Sequence, residues 1–180
     1  MIFLKQVAKK ILEYEARLVL RKYKPKIMAI TGSVGKTLTR EAIYLVLSKK
    51  FFIRRSQKSF TTELGVSLTI IGCPDGTGSL LQWFQNIFFG LKLLLYKNDY
   101  PDWLLLEMDS DKPGDLKGVS GFLSPDILIM TAIGKVPAHI ELFSDKEDFL
   151  AEKKYIINSV KPLGAVAYNA DDSTVSGLLK

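Results

Sequence analysis

Cysteine and histidine are nearly missing from this chain: its 180 residues include one of each, Cys73 and His139. One thiol cannot close a disulfide within the chain, so core packing must hold the fold. The usage fits a reducing compartment, the cytoplasm. Cys73 stands beside Pro74, with no second thiol or histidine nearby in sequence, and reads as structural. The N-terminus lacks the long apolar core and small-residue cleavage site of a signal peptide. There is no internal repeat and no low-complexity tract.

What is present suits one globular domain with a real core: 47% of the residues are hydrophobic. The formal net charge is +6. That excess suits anionic partners such as nucleotides, nucleic acid or acidic lipid, and identifies none of them. Part of it is local, because Lys5, Lys9, Lys10, Arg17, Arg21, Lys22, Lys24 and Lys26 crowd the N-terminus. Nucleic-acid binding rests on this charge alone, and the reading is no nucleic acid.

The most informative stretch is the apolar run Ile27–Ile30 followed at once by Thr31-Gly32-Ser33-Val34-Gly35-Lys36-Thr37. It reads as a buried strand, a phosphate-gripping loop and a helix. Gly32 and Gly35 remove side chains, so backbone N–H groups can close on anionic oxygens, and the helix from about Lys36 adds its positive end. Lys36 can reach the β and γ phosphates of a nucleotide, and the Thr37 hydroxyl can ligate Mg²⁺. A strict P-loop has glycine six residues before the lysine; here that residue is Ile30. The preceding strand and following helix supply the context such a loop needs.

Residues 2–23 carry apolar side chains at helical spacing among lysines and arginines, an amphipathic helix. Packing on its own domain is the favoured reading, and a membrane-surface helix the alternative. Pro25 breaks the chain after it, dividing an N-terminal helix, 1–24, from a domain of 25–180. Short apolar runs over 27–31, 51–54, 103–107, 127–131 and 165–169 predict buried strands. Helical stretches over 36–49, 62–71, 80–96 and 146–160 separate most of them. Alternation of this kind predicts an α/β fold of three layers, α/β/α, with a mainly parallel sheet. Ligands of such sheets bind at the carboxyl ends of the strands, where Thr31, Glu107, Thr131 and Asn169 lie. The 80–96 segment is very apolar but slightly short for a span of roughly 20 residues. A long helix covering a sheet face or meeting a partner is favoured over peripheral membrane contact.

Glu107, at the end of a central strand, offers a hard oxygen where a nucleotide-bound Mg²⁺ would need one. An acidic residue opening a loop is the plain alternative. His139 alone reads as a surface or satisfied core histidine, and Lys153 as a solvated helix lysine.

Together the motifs ITGSVGKT, SFTTELGVSLT, LLLEM, TAIG…AH, EKKYII and YNADD, in that order, resemble the central ATP-binding domain of the Mur ligase family. These are ATP-dependent amide-forming ligases of peptidoglycan precursor synthesis. The resemblance spans residues 25–172, and is closest to the branch that adds D-alanyl-D-alanine to the UDP-muramoyl tripeptide. It implies that Gly32, Ser33, Val34, Gly35, Lys36 and Thr37 hold ATP phosphates, and that Thr37 and Glu107 hold one Mg²⁺. It further implies a second metal held with His139 and Lys153, the latter matching a lysine that the family carbamylates. Asn169 matches a contact on the adenine side, and Thr61, Thr62 and Glu63 fall in a substrate-positioning loop. Lys36, His139 and Lys153 would then serve the chemistry, in which a substrate carboxylate is phosphorylated and an amine displaces phosphate from the acyl phosphate. Ser59, Thr61 and Ser67 replace the family's asparagines and proline, which bears on substrate identity more than on ATP. The flanking domains of a full member are not in the sequence, so ligation is expected to require a partner chain. The alternative is a catalytically incomplete nucleotide-binding partner subunit, held at a membrane surface by its two apolar helices.

Overall fold

The computed structural model describes residues 2–57, 62–74, 79–134, 137 and 140–179. Five strands form one sheet: β1 (Lys26–Thr31), β2 (Ile53–Arg55), β3 (Trp103–Glu107), β4 (Ile127–Met130) and β5 (Ala165–Tyr168). Their spatial order is β2-β3-β1-β4-β5, and every pairing is parallel. The three-layer α/β/α expectation stands. The sheet is entirely rather than mainly parallel.

The helices are α1 (Ile2–Tyr23), α2 (Lys36–Leu47), α3 (Glu63–Ile71), α4 (Leu80–Leu95), α5 (Asp115–Ser120), α6 (Lys146–Asn158) and α7 (Ser173–Leu178). Their distribution follows from crossover handedness. The β1-to-β2 connection runs one way along the sheet, and the later connections run the other way. Right-handed crossovers therefore put α2 alone on one face and α3 to α6 on the opposite face.

The two faces pack accordingly. Ile27, Ala29, Leu104, Leu106, Leu128 and Met130 point into a large core shared with α1 and α3 to α7. The alternate residues Met28, Ile30 and Leu105 meet Ile43, Tyr44 and Leu47 of α2 in a smaller core. One helix cannot cover five strands, so Ile129 and the alternate β5 residues Ala165 and Ala167 keep some exposure on the α2 side. Helix α1 belongs to the large core: Leu12, Ala16 and Val19 are fully buried against it. Domain packing of this helix, favoured from the sequence, is what the structure has. Helices α5 and α7, six residues each, were not expected.

Candidate functional site

The register sets Ile30 beside Glu107 and Thr31 beside Met130, so β1, β3 and β4 end together. The chain leaves β1 through Gly32, with φ 137°. A Cβ there would lie 2.1 Å from Thr131 Oγ1, so only glycine fits between the strand ends. The loop is then pinned sideways. The N–H groups of Ser33 and Val34 donate to the Ala132 carbonyl at 2.7 and 3.0 Å. Gly35, left-handed at φ 86°, opens α2, and no side chain caps that terminus. Its free N–H groups and the helix dipole make an anion site. The Ser33 hydroxyl at the same place is buried without a partner.

Charged groups converge on this loop. Lys36 folds back over it and donates to the Gly32 carbonyl at 2.9 Å while pairing with Asp109 at 2.7 Å. The Thr37 hydroxyl donates to Glu107 Oε1 at 2.9 Å. Glu107 is buried, and Arg40 of α2 holds its other oxygen at 2.7 Å. Asp109 reaches a second lysine, Lys153 of α6, at 3.2 Å, and Lys153 also donates to Ser110 Oγ at 3.2 Å. Lys153 is 0% exposed, whereas its neighbour Lys154 faces solvent. Burial pushes the Lys153 ammonium below its usual pKa, against the opposing pull of Asp109. Burial also pushes the Asp109 carboxyl up, but Lys153 and Lys36 outweigh it and hold that carboxyl below its usual value.

Lys36, Thr37, Glu107 and Lys153 thus come together as expected from the sequence. Asn169 follows β5, where its N–H donates to the Met130 carbonyl at 3.0 Å. It lines a cleft of about 400 Å³ with Val34, Thr39, Ile129, Thr131 and Tyr168, over the part of the sheet that α2 leaves open. Thr62 caps α3, its hydroxyl accepting from the Gly65 N–H at 3.4 Å. Glu63 is turned towards Gly118 of α5. Thr61 and His139 lie outside the described residues.

Arg40, Asp109 and Ser110 are members the sequence reading missed. Two of them carry a periodic signal: Asp109 is two residues beyond Glu107 along an extended segment, and Arg40 is one helical turn beyond Lys36 and Thr37. The donor set fits Mg²⁺ shared with phosphate: a hydroxyl and a carboxylate in contact, beside an anion-binding loop. Among the described residues no three His, Cys, Asp or Glu side chains form a metal cluster, so phosphate oxygens would complete the coordination.

The Mur ligase middle domain matches residues 30–180. Among curated proteins, the UDP-N-acetylmuramoyl-tripeptide–D-alanyl-D-alanine ligase of Bacillus subtilis is 24% identical over 161 residues, 89% of this chain and 30% of that protein. The enzyme of the same name from Borreliella burgdorferi is 28% identical over 148 residues, 82% of this chain and 26% of its own length. The chain therefore spans about 30% of the length of such relatives. Among solved structures, MurF ligase from Thermotoga maritima in complex with ADP aligns with a TM-score of 0.70 at 25% identity, covering 94% of this chain and 34% of that one. MurF from Acinetobacter baumannii, at 19% identity and a TM-score of 0.67, shares the fold.

Proposed function

This chain belongs to the Mur ligase family, and from that premise we propose that it is the ATP-binding portion of an amide-bond-forming ligase of peptidoglycan precursor synthesis. The observation that carries this is the Lys36, Thr37 and Glu107 group at the mouth of the glycine loop. The free backbone N–H groups of Gly35, Lys36 and Thr37 take the nucleotide phosphates, with the Ser33 hydroxyl and Val34 beside them in the loop, and Lys36 turns from Asp109 to the β/γ oxygens. Thr37 and Glu107 hold Mg²⁺, with Arg40 fixing the Glu107 rotamer. Mg²⁺ bound there supplies neutralisation of phosphate charge. Asn169 faces the adenine side through the open cleft. Lys153 and His139 attend a second metal, by family resemblance. Burial favours the neutral Lys153 amine that carbamylation requires. Thr61, Thr62 and Glu63 belong to the substrate side.

The acid substrate is of the UDP-muramoyl-peptide type, activated as its acyl phosphate and attacked by an amino-acid or dipeptide amine. The remaining substrate surfaces of such an enzyme lie beyond the 30% of the Bacillus subtilis relative that this chain spans, and the compartment proposed is the cytoplasm. The test of the nucleotide site is calorimetry of Mg-ATP with wild type and Lys36→Ala. Loss of binding in the variant is expected, and equal affinities refute the assignment.

A second reading, a nucleotide-binding partner subunit that does not ligate by itself, is favoured by Ser59, Thr61 and Ser67, which replace the family's asparagines and proline in the substrate loop. Phosphate release with UDP-muramoyl tripeptide and D-alanyl-D-alanine, with product followed by mass spectrometry, separates the two. Adduct at on the order of 1 per second makes the chain a ligase in its own right. Nucleotide binding without adduct supports the subunit.

A further inference from the structure

Helix α4 is apolar on both of its sides. Trp83, Gly90 and Leu93 pack inward, while Phe84, Phe88 and Leu95 are 66%, 71% and 76% exposed. The helix contains no acidic residue and one cation, Lys92. A helix apolar all round normally lies inside a core or a bilayer. Among the described residues this one has protein on one side only.

Its outer side continues onto α1. Leu4, Val7 and Ile11 form an exposed edge of α1, and with Trp83, Phe84 and Ile87 they line an apolar cavity of about 110 Å³ in the seam. The N-terminal halves of the two helices meet there. At the other end Lys22 of α1 donates to the carbonyls of Leu93 and Leu94 at 2.7 and 3.0 Å. The helices therefore run parallel, and their outer sides make one band.

Charge identifies the occupant. Lys10 and Arg21 share the exposed side of α1 next to this band, Arg17 beside them lies over the Phe122 ring at 4.9 Å, and Lys92 projects from the outer side of α4. The two acidic residues of α1 do not offset them: Glu15 is buried, and Glu13 is half-buried and paired with Lys9 at 3.5 Å. An apolar band whose exposed charges on α1 and α4, among the described residues, are cations matches an anionic bilayer surface. A second copy across a two-fold axis would instead set the cations against one another. Among the described residues no helix is long and apolar enough to cross a membrane, so the mode is in-plane.

We infer that the α1/α4 face docks on an anionic lipid bilayer, with Phe84, Phe88 and Leu95 inserted among the acyl chains and the α1 cations at the headgroups. This is independent of the ligase reading. The experiment is co-sedimentation of the full chain with phosphatidylcholine vesicles, with and without phosphatidylglycerol, at low and high salt. Expected is binding that needs the anionic lipid, weakens with salt, and falls at least about tenfold in Phe84→Gln/Phe88→Gln and in Lys10→Glu/Arg21→Glu. All four residues are exposed and remote from the nucleotide loop, so retained Mg-ATP binding verifies folding of each variant. Absence of binding, equal binding to both vesicle types, or unaltered binding by the charge-reversed variant overturns the inference. So does a concentration-dependent dimer in which α4 becomes protected from hydrogen exchange, since the occupant is then a second copy.

Discussion

Asp109 holds two lysines at once, Lys36 at 2.7 Å and Lys153 at 3.2 Å. Removing it leaves the Lys153 charge buried without a partner, the costly case for an ion pair. Asp109→Ala should lower stability by about 3–5 kcal/mol in urea unfolding. Adding Lys153→Met should recover most of that loss; simple additivity of the two changes would mean that they do not interact. Glu15 is the other weak point at this scale. Both its oxygens are buried without a partner between α1 and Gly90, and burial pushes its pKa from 4.5 to about 7. The nearby Cys73 thiol, itself pushed up to about 12, stays neutral. A raised carboxyl means that the folded state keeps a proton which the unfolded state releases. Its contribution is therefore most favourable below about pH 4.5 and is lost as pH rises to 7, a decline of up to about 3 kcal/mol. Glu15→Gln should flatten that slope in unfolding measured from pH 4 to 8, and an unchanged slope would mean that Glu15 is ionised in the fold. Lys36, Thr37 and Glu107 were legible in the sequence because neighbouring residues supply their context. The Asp109–Lys153 pair was not, because its partners lie 44 residues apart and meet only through packing of α6.

Elements meet through small residues. Gly90 lets α1 approach α4, and a Cβ there would lie 2.2 Å from Glu15 Oε2. Alanine in a helix is ordinarily worth about 0.5–1 kcal/mol over glycine. Here Gly90→Ala should destabilise wild type, yet stabilise a Glu15→Ala background by that amount. The same sign in both backgrounds, read from thermal melts, would contradict the packing described. The long helices were readable from their 3.6-residue period. Helices α5 and α7, barely more than one turn each, are too short to carry a period. They exist because their first turns are capped. Glu152 of α6 accepts the N–H groups of Gly114, Leu116 and Lys117 at the start of α5, and Asp172, the residue just before α7, accepts those of Thr174 and Val175. Strand β2 begins at Ile53, two residues later than the apolar run beginning at Phe51 predicts.

Nucleotide binding and folding are linked across the whole molecule. Mg-ATP at a hundred times its Kd should add about 2.7 kcal/mol to wild-type stability, and nothing comparable at the same concentration to Lys36→Ala. Equal shifts of the melting temperature would place the nucleotide elsewhere. Helix α1 belongs to the same cooperative unit, because Leu12, Ala16 and Val19 fill the large core. Deleting residues 2–24 should abolish cooperative unfolding rather than release a folded 25–180 domain, as near-ultraviolet circular dichroism would reveal.

The sequence by itself determined the fold class and the phosphate loop. Both are written in local patterns, apolar runs alternating with helical periods and a glycine-bracketed turn between a strand and a helix. Only the tertiary structure decided which charges share the site, since Glu107, Asp109, Arg40 and Lys153 come from three elements whose juxtaposition depends on strand order. It also decided the distribution of the helices, because handedness acts on a sheet order that no local pattern encodes. The two sides of α4 are equally apolar in sequence. Packing against α1 and α3 alone makes one of them core and leaves the other as surface.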